Sequence, residues 1–188
     1  MTGGAELAVV FVCTGNRFRS PLAAALFREA ASELPVDVRS MGTLETGRQP
    51  AFEEALEHGR RFGLDLSDHQ SLAVARGALA SADLVVGFEH THLAVSVVEG
   101  GARRDRTFTL PELVELLELD HEPLTATDTA ARARQAVEQA DAARALAGRS
   151  PGHLEIADPV GGPQAVYAAT ADEIEALVSR LVALLFRA

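Results

Sequence analysis

Ala8–Val9–Val10–Phe11–Val12–Cys13–Thr14–Gly15–Asn16–Arg17–Phe18–Arg19–Ser20–Pro21–Leu22 is the stretch whose reading decides the fold. Five apolar residues give way to a short polar loop, and then to a helical pattern opened by Pro21. A strand, a tight loop and a helix N-terminus in that order make an anion cradle, because loop N–H groups converge and the helix dipole favours negative charge. Cys13 is the only cysteine of the chain, and Arg19 stands six residues after it. Gly15 supplies freedom for positive φ and close backbone approach, while Asn16 tolerates the left-handed conformation. Ser20 is placed either to hydrogen-bond the sulfur or to cap the helix. The loop can therefore hold a tetrahedral phosphate against a thiolate, which is what a cysteine-dependent phosphomonoester hydrolase requires.

Composition narrows the classes further. The 188 residues suit one domain, 1–188, with an adequate core, and the 47% apolar content is that of a globular protein. A net charge of −10 disfavours general nucleic-acid binding, although Arg17 and Arg19 make a local basic spot. A lone cysteine forms no intramolecular disulfide, and the six scattered histidines lack metal-site spacing, so neither metal nor cofactor is expected. No basic leader followed by an apolar run opens the chain, and no segment reaches the length of a bilayer span. A cytoplasmic protein without membrane insertion is expected.

Along the chain, short apolar runs alternate with helical stretches. Residues 7–12 read as a buried strand, 21–32 as a helix, and 36–40 as a half-exposed edge strand. Helices are expected at 50–62, stopped by Gly63, and at 72–79, 91–98 and 111–119, with strands at 83–88 and 107–109. Ile174, Leu177, Val178, Leu181, Leu184 and Leu185 form a final helical stripe. The alternation predicts an α/β three-layer sandwich around a parallel sheet. Thr125–Ala126–Thr127–Asp128 reads as a helix start, an Ala/Arg-rich stretch runs to Ala147, and Gly148–Arg149–Ser150–Pro151–Gly152 closes it. This helix reads either as a solvated surface element or as a lid beside Asp158.

Val12–Cys13–Thr14–Gly15–Asn16 with Arg19–Ser20–Pro21 resembles the phosphate loop of the low-molecular-weight protein tyrosine phosphatases, particularly their bacterial branch, which includes protein arginine phosphatases. Ala157–Asp158–Pro159–Val160–Gly161–Gly162–Pro163 stands where that family carries an Asp-Pro pair. Arg39–Ser40–Met41–Gly42–Thr43 is similar to the family's second-strand segment, and Leu66–Ser67–Asp68–His69–Gln70–Ser71 to its histidine loop. Ser81–Ala82–Asp83–Leu84–Val85–Val86 and Arg106–Thr107–Phe108–Thr109–Leu110 resemble the third and fourth strands. The likeness covers nearly the whole chain outside residues around 119–155, so it implies a helical insertion at about 120–155. It also implies a four-stranded doubly wound sheet with the phosphate loop after its first strand.

The resemblance assigns roles. Cys13 is the nucleophile, and the loop N–H groups, helix N-terminus, Arg19 and Ser20 favour its thiolate. Arg19 grips phosphate oxygens as a planar fork, and Asp158 is the general acid. Taken alone, Asp158 before Pro159 also reads as a turn residue. Thr14, Gly15, Asn16, Arg17, Phe18 and Ser20 line the phosphate site, and Asn16, Ser40 and His69 form a hydrogen-bonded set behind the loop. Three positions depart from the family. Arg17 replaces an apolar residue or threonine and favours extra negative charge on the substrate; its other reading is a solvated side chain. Val160 replaces an aromatic wall, with Tyr167 further on. Phe18 replaces a second cysteine that can protect the nucleophile, which leaves Cys13 more open to irreversible oxidation. A phosphotyrosine phosphatase acting on phosphoprotein is the leading expectation. Phosphoarginine or a small phosphorylated metabolite, a single-cysteine arsenate reductase, and a phosphate-binding regulatory module remain as alternatives. Pro21 speaks against the reductase, whose version of the loop has glutamine there.

Overall fold

A computed structural model of the protein describes residues 6–146 and 154–186. Strand β1 (Leu7–Cys13) is followed by α1 (Arg19–Ala30), β2 (Val36–Gly42) and α2 (Glu53–Arg61). Then come β3 (Leu84–Gly87), α3 (His90–Val98), β4 (Thr107–Thr109) and α4 (Leu110–Leu117). Helices α5 (Thr129–Leu146) and α6 (Gln164–Leu185) complete the order. The four strands pair in parallel in the order β2-β1-β3-β4. The covered parallel sheet expected from the alternation is present, and it is the four-stranded, doubly wound one that the resemblance implied, with β2 at an edge.

β1 is apolar at nearly every position because both faces of the sheet are covered. Leu7, Val9, Phe11 and Cys13 point into the larger core with α1, α4, α5 and α6. Val10 and Val12 point the other way, onto Met41, Leu79, Ala82 and Val85. Fully burying a side chain such as Phe11 or Leu113 contributes about 1.5–3 kcal/mol. Gly63 ends α2 at φ 77°: Leu64 N–H donates to Gly59 O and Gly63 N–H to Arg60 O, which satisfies the last carbonyls.

Two sequence expectations change. Residues 72–79 are not helical. Gly42 N–H donates to Leu72 O and Val74 N–H to Gly42 O, so this segment runs on beside the end of β2 before turning at Gly77. Its apolar period came from Val74 and Leu79 covering the second face of the sheet, and tertiary hydrogen bonds overrode helical propensity.

α5, read as a solvated surface helix or a lid, is neither. Ala130, Ala133, Ala136, Val137 and Ala140 are buried in the larger core, and no α5 residue lines the cavity over Cys13. The small alanine side chains let the helix approach α4 and α6 closely. Asp128 Oδ1 accepts from Ala131 N–H at its start. Arg134 clamps it to Asp83 (2.8 and 2.9 Å), and Arg144 reaches Thr107 O while stacking 4.1 Å over Phe108. The closing segment 148–152 lies outside the described residues, as does the chain start (1–5). Among the described residues no helix is long and apolar enough to cross a membrane.

Ala133 is fully buried, so Ala133→Glu is expected to cost on the order of 3 kcal/mol or more. In a chain of this size that lowers Tm by roughly 6 °C or more. An unchanged melting midpoint would place α5 outside the core.

Candidate active site

The loop Thr14–Phe18 leaves the C-terminal end of β1 between β2 and β3, where the strand order reverses and open α/β sheets bind their ligands. Its turn is made by Asn16, at φ 53°. Gly15 was expected to share that role, but it is not in the left-handed region, and a Cβ there would meet nothing within 4 Å. Its bare backbone keeps the cavity over Cys13 open. The close backbone approach falls instead at Gly42, where a Cβ would lie 2.9 Å from Thr14 O and 3.0 Å from Asn16 N.

Asn16 is fully buried and its side chain is spent on the loop's surroundings. Nδ2 donates to Ser20 Oγ and Ser40 Oγ, both at 2.9 Å, and Oδ1 accepts from Leu72 N–H at 2.8 Å. The Asn16 carbonyl accepts from His69 Nε2 at 2.7 Å. Asn16, Ser40 and His69 are thus brought together behind the loop. Burial lowers the His69 imidazole below its ordinary value, so the ring is a neutral donor.

Cys13 Sγ lies 3.3 Å from Asn16 N–H and 3.0 Å from Ser20 Oγ. The hydroxyl of Ser20 has one proton, within reach of Met41 O (3.2 Å) as well as of the sulfur. A thiolate, which can only accept, draws that proton toward itself. Phe18 N-caps α1 without a side-chain bond, so Ser20 serves the sulfur and not the helix end.

Arg19 is 1% exposed, and its guanidinium is held on several sides. Nη1 donates to Glu89 Oε2 (2.8 Å) and Ile156 O (2.9 Å), while Nη2 meets Thr14 Oγ1 (3.1 Å) and Asp158 Oδ2 (2.6 Å). His92 completes the group, with Nε2 3.0 Å from Thr14 Oγ1. Its Nδ1 accepts from the Phe88 and Glu89 N–H groups, which fixes the proton on Nε2. Burial, reinforced by the Arg19 charge, pushes His92 down to about 4. Sequence reasoning missed Glu89 and His92. Their signal was position: both follow β3 directly, at the strand end that faces the ligand side of the sheet.

The cavity above Cys13 encloses about 480 Å³, open mouth included, and Arg17, Leu44, Phe52, Asp158 and Val160 stand around it. Arg17 is not simply solvated: Nε donates to Pro50 O at 2.8 Å, and its guanidinium carbon stacks 3.9 Å from the Phe52 ring centroid. Phe52 thereby supplies an aromatic face at the mouth that sequence reasoning missed. The Phe18 ring turns into a separate apolar cluster, edge-on to Tyr167 at 5.1 Å, so its backbone is what it offers an anion. The Tyr167 hydroxyl accepts from Gly161 N–H at 3.4 Å, which ties the Asp158–Pro159 loop to the residue beneath the phosphate loop.

Comparison with known proteins gives the class. The profile of the low molecular weight phosphotyrosine protein phosphatases matches residues 8–147. A protein-arginine-phosphatase of Bacillus subtilis is 30% identical over 175 residues, covering 92% of this chain and 93% of that one. YwlE arginine phosphatase, in a form with a phosphorylated active-site serine, superposes with TM-score 0.70 at 29% identity over 96% of each chain. A low molecular weight protein tyrosine phosphatase from T. tengcongensis gives 0.67 at 26% identity, over 94% of this chain and 98% of that one. The chain belongs to the low molecular weight phosphotyrosine protein phosphatase family. It is a cysteine-based phosphatase, a hydrolase of phosphoric monoesters.

Asn16→Ala strips three hydrogen bonds from the loop's backing and is expected to lower kcat on an aryl phosphate by about 10²-fold through misplacement of the sulfur. An unchanged kcat would show that the loop holds itself. His92 gives a pH prediction. Its folded value lies below the ordinary value near 6.5, so its contribution is complete above pH 6.5 and is lost as pH falls toward 4, on the order of 3 kcal/mol in all. Chemical denaturation of wild type and His92→Asn across pH 4–7 checks this: the variant's acid limb is expected to be flatter, and equal slopes would contradict the neutral, buried ring.

Proposed function

We propose that Cys13, Arg19 and Asp158 carry the reaction and that the substrate is a phosphotyrosyl protein in the reducing cytoplasm. The observation behind this reading is the convergence of the three side chains on one cavity, with Arg19 bridging to Asp158 at 2.6 Å. An incoming phosphate exchanges for Asp158 at Nη2, and the loop N–H groups take its other oxygens. The Cys13 thiolate attacks phosphorus in line, the bond from phosphorus to the leaving oxygen breaks, and Asp158 gives that oxygen its proton. Water then attacks the cysteinyl phosphate and passes a proton back to Asp158. The S–P bond breaks, the thiolate is restored and inorganic phosphate leaves. Glu89 and Ile156 O hold the far edge of Arg19, so the guanidinium plane stays fixed during the exchange.

The apolar mouth formed by Leu44, Phe52 and Val160 supports an aryl phosphate. A second reading, phosphoarginine, is favoured by the arginine phosphatase relatives. Cys13→Ser is expected to abolish hydrolysis of para-nitrophenyl phosphate while vanadate still binds; equal turnover would remove Cys13 from the chemistry. Asp158→Ala is expected to slow phenyl phosphate by about 10²–10⁴-fold and para-nitrophenyl phosphate far less. Equal slowing of the two would take the acid role from Asp158.

A further inference from the structure

We infer that Arg17 is a second anion-binding point beside the phosphate loop, selecting phosphotyrosyl residues flanked by acidic side chains; this rests on the phosphatase reading above. Arg17 is surplus to the grip on the reacting phosphate, which Arg19 and the loop N–H groups already provide. Its own guanidinium is set in place on two sides, by Nε–H to Pro50 O and by stacking on Phe52. An arginine held in this way loses little freedom when its remaining N–H groups take up a carboxylate or phosphate.

Those remaining groups are unclaimed. Arg17 has no carboxylate within ion-pair distance among the described residues, whereas Arg19 in the same cavity has Glu89 and Asp158. Arg28, Arg48, Arg76 and Arg104 also lack an ion pair among the described residues, but none of them lines this cavity. A chain of net charge −10 that leaves this half-buried arginine without a counter-ion presents a local positive point in a negative field.

The rest of the mouth says what accompanies the anion. Leu44 is 54% exposed and Val160 52% exposed, and together with Phe52 they offer an apolar rim suited to a phenyl ring. A ring against this rim, with its phosphate in the loop, leaves the peptide backbone and its neighbouring side chains at the level of Arg17. Acidic neighbours complete the arginine. The guanidinium of a phosphoarginyl residue would instead bring a like charge to it.

The experiment compares kcat/KM of the wild-type chain on a phosphotyrosyl peptide with acidic flanks, on its Asn/Gln-flanked counterpart, and on a phosphoarginyl peptide. The acidic peptide is expected to be preferred over the neutral one by about tenfold, the worth of one charged hydrogen-bonded contact. That ratio is expected to shrink as salt is raised, and to fall to near one in Arg17→Gln, whose loop is checked by vanadate binding. A wild-type ratio near one, a ratio that persists in Arg17→Gln, or faster turnover of the phosphoarginyl peptide would each overturn the inference. The salt series needs no variant, so a misfolded Arg17→Gln leaves the test intact. Hydrolysis of para-nitrophenyl phosphate with equal rates on the two phosphotyrosyl peptides overturns the Arg17 site alone; no hydrolysis of any probe overturns the phosphatase reading and this inference with it.

Discussion

Everything at the site hangs on the buried amide of Asn16. A residue with a side chain in the left-handed region costs on the order of 1 kcal/mol, and the loop needs that turn to aim its N–H groups inward. The amide offsets the cost by satisfying, at one point, the start of α1 through Ser20, the end of β2 through Ser40 and the segment after His69 through Leu72. The loop's shape is therefore a property of three distant pieces of chain. Gly42 is the complement, since those pieces can close on the loop only where β2 presents no side chain.

The electrostatic design places one nearly sealed cation, Arg19, between two carboxylates of different fate. Glu89 holds one edge and Asp158 the other, the edge that the proposed mechanism gives to phosphate. A buried salt bridge is weak evidence for stability; under the proposed mechanism its value lies in exchange, because one anion would replace another without baring the guanidinium. His92 serves this arrangement by staying neutral, so that no second positive charge competes with Arg19 beside Thr14.

The fold was largely legible because β1 announces burial on both faces and the strand-loop-helix junction announces an anion site. Cys13 and Arg19 could be picked out from that junction, whereas Asp158, which taken alone also reads as a turn residue, was marked only by the family resemblance; the structure places all three at one cavity. What could not be read depends on partners remote in sequence. The 72–79 segment has helical spacing, but its N–H groups are claimed by Gly42 and Asn16. α5 is so rich in alanine and arginine that it reads as solvated. Ala130, Ala133, Ala136 and Ala140 pack in the core, and Arg134 and Arg144 fold back onto Asp83 and Thr107. Glu89 and His92 had only their position after β3 to mark them, and Phe52 belongs to no local pattern; their place beside the loop becomes visible only once the sheet is assembled.

The pairing of Phe18 with Tyr167 has an optical consequence. The chain contains no tryptophan and a single tyrosine. That tyrosine sits under the phosphate loop and accepts a hydrogen bond from the Asp158–Pro159 loop at Gly161. All tyrosine emission from the native protein thus originates where the phosphate loop and the Asp158–Pro159 loop meet. The enzyme carries its own fluorophore at the site, with no tryptophan and no second tyrosine to obscure it.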